Sequence, residues 1–231
     1  MPVAPLEIVD KARKLAAHIF EAAEEDIVFD QGQFFVKGSP DKRKALGEIA
    51  FASFGAGLPE GMEHGLEAVA YYDPSNFVWP FGTHIAVVEV DAETGAVDLQ
   101  RYIAVDDCGN VINPMIVEGQ VHGGVVQSIA QALYEETVYD ESGQILTGTL
   151  VDYMIPSAAE LPHMETARTV TPTPTNPMGV KGIGEAGTIA ASACIVNAAV
   201  DALSELGIRH LDMPLQPGRV WEAIQTAKAG S

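Results

Sequence analysis

The sequence has little cysteine, little positive charge and no long apolar run. Its 231 residues include 2 cysteines, and 13 basic residues stand against 32 acidic ones, which gives a formal net charge of −19. A chain this acidic is a poor partner for a nucleic-acid backbone or an anionic membrane surface, so we expect neither. The longest apolar stretch, residues 188–200, is too short to span a bilayer, so we expect no membrane span.

The two cysteines, Cys108 and Cys194, fit no zinc-binding or redox spacing. Cysteines this few in a chain of this size are typical of a reducing compartment, where both would be small buried residues. The N-terminus has no basic region followed by an apolar run, so we expect no secretory signal. Together these features predict a cytoplasmic protein.

The composition is that of a folded chain. Apolar residues make up 47% of the sequence, enough for a sizeable core in one large domain or in two closely packed lobes. No internal repeat or low-complexity tract is present. Helical and strand patterns alternate irregularly, which predicts an α+β fold with a mixed, largely antiparallel sheet and packed helices.

Hydrophobic periodicity places the individual elements. Apolar residues three and four positions apart predict an amphipathic helix over residues 5–25, and residues 27–29 and 34–36 read as a hairpin. The other predicted elements are helices over 41–54, 118–136, 188–203 and 217–227, strands over 66–72, 83–90, 97–105, 150–153 and 166–171, a hairpin over 139–147, a short strand near 208–211 and a loop over 55–65.

Residues 179–187 are the most informative stretch of the chain. Four glycines surround a single carboxylate, Glu185, just before the apolar helix predicted to start at Thr188. Glycines let a backbone approach a bulky ligand closely. Free amide groups at a helix start, and Lys181 nearby, would favour an ionised Glu185. The alternative is that Glu185 is only one of the acidic residues common in first turns.

A second alternative is a dinucleotide-binding loop, because Gly182, Gly184 and Gly187 spell G-x-G-x-x-G at the start of a helix. The preceding residues 171–177 carry three prolines where that fold needs a strand. Glu185 would also lie beside the pyrophosphate, where positive potential is needed. We therefore consider this interpretation improbable.

A glycine cluster also interrupts the helical pattern of residues 118–136. Each glycine there costs about 1 kcal/mol relative to alanine, so the cluster predicts close packing or the close approach of a ligand. Glu118 and His122 stand four positions apart on this pattern, but a metal site needs a third ligand. We therefore expect no protein metal site.

Four ordered motifs, residues 106–109, 112–124, 179–188 and 212–224, together resemble the C-terminal part of the molybdenum-hydroxylase large subunit. This is the xanthine oxidase family, and the likeness is closest to the large subunit of aerobic carbon monoxide dehydrogenases. It runs over nearly the whole chain in order. The resemblance implies that residues 1–231 form the C-terminal half of a molybdopterin-binding domain.

The resemblance also implies a cofactor and roles for particular residues. The cofactor would be molybdopterin, commonly as its cytosine dinucleotide, with the metal held by the cofactor's own sulfurs. Glu185 matches the family's active-site glutamate, a general base. Gln120 matches a glutamine that hydrogen-bonds the pterin, and Gly119, Gly182 and Gly184 would allow close backbone approach. His122 stands where other members carry glutamate.

The family resemblance implies a molybdenum-dependent oxidoreductase that oxidises a small substrate with oxygen from water. Electrons would pass to [2Fe-2S] and FAD centres in an iron–sulfur subunit and a flavin subunit. The family's large subunit continues upstream of Met1, so we expect a split subunit or a fragment that needs its N-terminal half. Neither cysteine matches the copper-bearing cysteine of carbon monoxide dehydrogenases, so carbon monoxide is not implied as substrate. The competing class is a non-catalytic scaffold or cofactor-binding module.

Overall fold

A computed structural model describes residues 3–230, so the outermost residues of the predicted domain 1–231 lie outside it. The chain divides into two compact units, Met1–Ser75 and Asn76–Ser231. Each unit has its own cluster of buried apolar side chains. The sites discussed below all lie in the second unit.

The first unit combines two helices with a three-stranded antiparallel sheet. Helix α1 (Val3–Phe20) ends earlier than expected, and Glu21 follows it at a φ of 53°. Strands β1 (Ile27–Asp30) and β2 (Gln33–Val36) form the predicted hairpin. The core of this unit is built from residues of α1, β1, β2 and α2, namely Ala12, Leu15, Ala16, Ala17, Ile27, Phe34 and Ile49.

The helix predicted over residues 41–54 was wrong in its first part. Residues Ser39–Ala45 form strand β3, which pairs with β2, and only Leu46–Ala52 form a helix, α2. The basic residues of β3 have good helix propensity, but ladder pairing with β2 overrides it. Arg43 lies over the ring of its cross-strand neighbour Phe35 at 5.7 Å, which adds a cation–π contact.

The second unit contains a mixed sheet in the order β4-β5-β6. Strands β4 (Phe81–Val90) and β5 (Val97–Asp107) are antiparallel neighbours, as expected from their shared turn over residues 91–95. Strand β6 (Met164–Thr169) pairs with β5 in parallel. The α+β class with a mixed sheet and packed helices is thus confirmed.

Helices α3 (Pro114–Leu133) and α4 (Ala186–Ala202) pack against one face of this sheet, and α5 (Pro217–Ala229) completes the core. Helix α3 begins four residues before the predicted start. Asn113 caps it by accepting hydrogen bonds from the amides of Met115 and Ile116, at 3.1 and 3.3 Å, and a proline follows at the first helical position.

Several expected strands of the chain are absent at their positions. Residues 66–72 and 208–211 are irregular, and residues 150–153 form a turn. The hairpin over 139–147 reduces to a single bridge between Tyr139 and Ile145. Short apolar alternation is not enough to form a strand where no neighbouring strand is available for pairing. Within residues 3–230, no helix is long and apolar enough to cross a membrane.

Candidate cofactor-binding and active site

The glycine-rich segment 179–187 is fixed to the chain that follows β5. The carbonyl oxygen of Gly179 accepts a hydrogen bond from the Asn110 amide at 3.0 Å, and the Asn110 side chain donates to the Met178 carbonyl at 2.7 Å. Gly109 has a φ of 68°, and a side chain there would collide with the Gly179 carbonyl. A residue with a side chain at position 109 would therefore keep the loop from approaching the end of β5 this closely.

A buried ion pair adds to this attachment. The Lys181 ammonium donates to Asp107 Oδ1 at 3.1 Å, and the two side chains are only 7% and 0% exposed. Burial alone would raise the pKa of Asp107, but hydrogen bonds from the Gly109 amide, the Thr169 hydroxyl and Lys181 hold that pKa well below its usual range. Lys181 was expected to support the charge of Glu185; its partner is Asp107 instead.

Glu185 lies at the start of α4, where the sequence predicted it. Its backbone carbonyl accepts hydrogen bonds from the amides of Thr188 and Ile189, both at 3.0 Å. Its side chain makes no capping hydrogen bond and is exposed. The carboxylate is therefore not needed for the helix start and is free to face a ligand.

Helix α4 meets α3 through small residues. A Cβ on Gly187 would lie 2.5 Å from the Val121 carbonyl oxygen, so only glycine fits there. The Thr188 hydroxyl donates to the Gly124 carbonyl at 3.2 Å, and the Ser128 hydroxyl donates to the Thr188 carbonyl at 3.0 Å. These contacts fix the first turn of α4 beside the middle of α3.

This packing brings the predicted site residues of two distant segments together. The Gln120 side-chain oxygen lies 3.8 Å from the point where a Cβ on Gly184 would stand, so Gln120 adjoins the segment that carries Glu185. Gly119 and Gly182 are exposed, and a Cβ on either would meet nothing within 4 Å. The exposed surface here thus carries uncovered backbone at the three glycines, the side-chain amide of Gln120 and the carboxylate of Glu185.

A buried polar cluster behind the start of α4 was not predicted. His84 Nδ1 lies 2.8 Å from the Tyr102 hydroxyl, and His84 Nε2 lies 3.4 Å from each carboxylate oxygen of Asp106. Burial raises the pKa of Tyr102. Asp106 also lines a cavity of about 120 Å³ together with Ala186, the residue after Glu185.

One sequence signal could have indicated both the ion pair of Asp107 and the buried polar cluster of Asp106. These two acids are adjacent at the end of an apolar strand pattern. Acidic residues are almost never fully buried unless they are paired. Two of them at the end of a strand therefore indicate nearby partners. The sequence does not say which residues those partners are.

The pair Glu118 and His122 has no third His, Cys, Asp or Glu beside it among the described residues. Glu118 is exposed, and within residues 3–230 no group of three or more His, Cys, Asp or Glu side chains could hold a metal ion. The His122 Nε2 atom is buried and has no hydrogen-bond partner among the described residues.

Comparison with known proteins places this geometry in a family. The sequence-family model of the molybdopterin cofactor-binding domain matches residues 3–162 of the chain. The chain belongs to this family. The matched range contains Gly119 and Gln120, whereas Gly182, Gly184 and Glu185 lie beyond it.

Curated relatives extend the similarity over almost the whole chain. The carbon monoxide dehydrogenase large chain of Hydrogenophaga pseudoflava is 44% identical over 223 residues, which are 96% of this chain and 28% of the relative. The nicotine 6-hydroxylase large subunit of Paenarthrobacter nicotinovorans is 38% identical over 94% of this chain and 27% of its own length. The chain thus spans just over a quarter of the length of each of these two relatives.

Solved structures agree with these relatives. A Cu,Mo-CO dehydrogenase in its carbon monoxide reduced state superimposes with a TM-score of 0.88 at 42% identity, covering 99% of this chain and 29% of its own. Quinoline 2-oxidoreductase from Pseudomonas putida 86 gives a TM-score of 0.84 at 43% identity, covering 94% of this chain and 28% of its own. The resemblance to molybdenum-hydroxylase large subunits, inferred from the sequence motifs, is confirmed.

Proposed function

We propose that this chain is part of the catalytic subunit of a molybdenum hydroxylase or dehydrogenase. The subunit would oxidise a small substrate with oxygen derived from water. The observation that supports this most strongly is local: in a molybdopterin-binding family member, the fold brings Gln120 and Gly184 together beside an exposed Glu185 that does not cap its helix.

The residues at this surface suit a molybdopterin cofactor. Gly119 and Gly182 leave backbone uncovered where a flat ring system could lie against it. The Gln120 amide both donates and accepts hydrogen bonds, which matches the mixed donors and acceptors of a pterin edge. We propose these two glycines, Gly184 and Gln120 as cofactor contacts. The dinucleotide form with cytosine is part of the same proposal and rests on the family resemblance.

When bound, the cofactor would supply a molybdenum centre that accepts two electrons from the substrate. Glu185 would act as the general base, holding the released proton on a carboxylate oxygen. Its position at a helix start suits this role, because the exposed carboxylate makes no capping hydrogen bond and can face a bound substrate. Gln120 would fix the cofactor's orientation and take no part in proton transfer.

The proposal includes partners. The upstream part of the large chain would complete the cofactor cleft, since Gln120 and Glu185 lie on exposed surface in this chain. An iron–sulfur subunit with [2Fe-2S] and a flavin subunit with FAD would carry the electrons away. A cytoplasmic location stays a prediction, as does the assignment of residues 1–231 to one C-terminal domain.

The second candidate is a scaffold or cofactor-binding module without catalysis. The exposed, non-capping carboxylate of Glu185 favours the enzyme, because a module that only binds has no need of an uncompensated acid at that point. A scaffold would differ from the enzyme in binding no cofactor, whereas a cofactor-binding module would differ only in what replacement of Glu185 does.

Metal and pterin analysis of the assembly purified from its native host tests the proposal. We expect molybdenum and pterin in equal amounts per chain, and their absence would refute it. Gln120→Ala should lower cofactor occupancy, because a buried pterin group loses its hydrogen-bond partner. Gln127→Ala is the matched control, an exposed glutamine two turns further along α3, and should leave occupancy unchanged. Equal occupancy in the two variants would remove Gln120 from the site.

A further inference from the structure

The sheet of the second unit has one covered face and one exposed face. Tyr102 and Ala104 of β5 are buried in a cluster with residues of α3 and α4, and Ala86 and Val88 of β4 pack against that cluster. Side chains alternate along a strand, so their neighbours point the other way. Among these, Phe81, Ile85 and Val87 are 55%, 52% and 47% exposed.

The outward side chains, which are exposed on β4 and half-buried at Ile103 and Val105, form one continuous surface. Ile85 stands directly across from Ile103, and Thr83 stands across from Val105, so their Cβ atoms lie about 5 Å apart. We call this surface the outer sheet face. It comprises six of the outward residues of the two strands, namely Phe81, Thr83, Ile85, Val87, Ile103 and Val105.

This composition is unusual for a face in contact with water. An antiparallel strand pair with one solvated face normally has polar residues on it. Two charged side chains also stand on this side of the sheet, Arg101 across from Val87 and Glu165 across from Ile103, and they are paired with each other, because Arg101 donates to Glu165 at 2.9 Å. Contiguous apolar surface of this kind marks an interaction site. Strand β4 also has an unpaired outer edge among the described residues, with no lysine or proline to block pairing.

We propose that the outer sheet face is a docking surface for the part of the large chain outside these 231 residues. Nearly three quarters of the Hydrogenophaga pseudoflava relative lies outside the matched region, which provides ample chain to cover it. A second copy of this chain is the less suitable occupant, because each copy carries a formal charge of −19 and the two would repel each other. The choice of occupant rests on the proposed function.

The covering chain would therefore make two separate contacts with this part of the large chain. At the starts of α3 and α4 it completes the cofactor cleft, and at the outer sheet face it supplies apolar side chains. The second contact needs no cofactor, so it is expected in cofactor-free assemblies as well. This difference allows the two parts of the account to fail separately.

Cysteine labelling in the native assembly tests the docking surface. Ile85→Cys places a thiol on the outer sheet face, and Glu93→Cys places a control thiol on the exposed turn between the same two strands. Maleimide should label residue 85 at least about tenfold more slowly than residue 93, because the centre of an interface excludes water. The two rates should become equal in denaturant. Equal rates in the folded assembly would overturn the proposal.

A photoreactive cross-linker attached at residue 85, read by mass spectrometry, identifies the occupant. We expect cross-links to sequence outside residues 1–231. Cross-links to this chain, from its first unit or from a second copy, would overturn the proposed occupant. Molybdenum and pterin are measured in the same sample: a metal-free assembly that still protects residue 85 refutes the proposed function and leaves the docking surface standing.

Discussion

We expect the ion pair between Lys181 and Asp107 to contribute more than any other single contact to holding the loop that carries Glu185 in place. Lys181→Met leaves a carboxylate that is 0% exposed without its cation, and Asp107→Asn leaves an ammonium that is 7% exposed without its anion. Removing one partner of a buried pair costs about 3–5 kcal/mol. For a chain of this size that corresponds to a fall in Tm of roughly 6–20 °C.

The double variant Lys181→Met with Asp107→Asn should be more stable than either single variant, because it leaves no uncompensated buried charge. The free energies of unfolding come from urea titrations of the three variants and the parent, followed by circular dichroism. A coupling energy of about 2 kcal/mol or more is expected for residues in direct contact. Strictly additive losses of unfolding free energy, or a loss below about 1 kcal/mol in each single variant, would refute the proposal that this ion pair holds the loop in place.

Two further predictions concern the same region. Because the pKa of Asp107 is held low in the folded chain, its contribution to stability is complete above the unfolded pKa of about 3.9 and is lost as the pH falls below that value. The double variant should therefore lose less stability than the parent between pH 5 and about pH 2. Parallel pH profiles of the unfolding midpoint for the two proteins would contradict this. Gly187→Ala should destabilise the chain by about 1–3 kcal/mol, because its Cβ would press on the Val121 carbonyl. Gly218→Ala, where a Cβ meets nothing within 4 Å, should be neutral or stabilising, and a similar effect of the two changes in thermal melts would show that α3 and α4 are not packed as described.

The features that the sequence predicted correctly depend on neighbours in the chain. The hairpin of β1 and β2 follows from two apolar runs and a short turn, and Glu185 at a helix start follows from a glycine loop before an apolar run. The start of α3 was within reach, because Asn113 followed by a proline is a helix-start signal, although the predicted helix began only at residue 118.

The features that could not be predicted depend on partners far away in sequence. The carboxylate of Asp107 binds Thr169 and Lys181, which are 62 and 74 residues further along the chain. Strand β6 pairs in parallel with β5 across a long crossover, and no local pattern specifies such pairing. The contact of Gln120 with the Gly184 region likewise requires the packing of two helices whose relative position local periodicity does not determine.

Turnover per molybdenum in Glu185→Gln is the most direct test of the central claim, that this surface is the active site of a molybdenum subunit. The variant keeps the size of the side chain and abolishes its basicity, so kcat and kcat/KM should fall together by roughly a hundredfold or more while the molybdenum content stays at the parent level. Glu205→Gln, at another exposed glutamate just beyond α4, is the control and should keep full turnover. Near-normal turnover per molybdenum in Glu185→Gln would contradict the account.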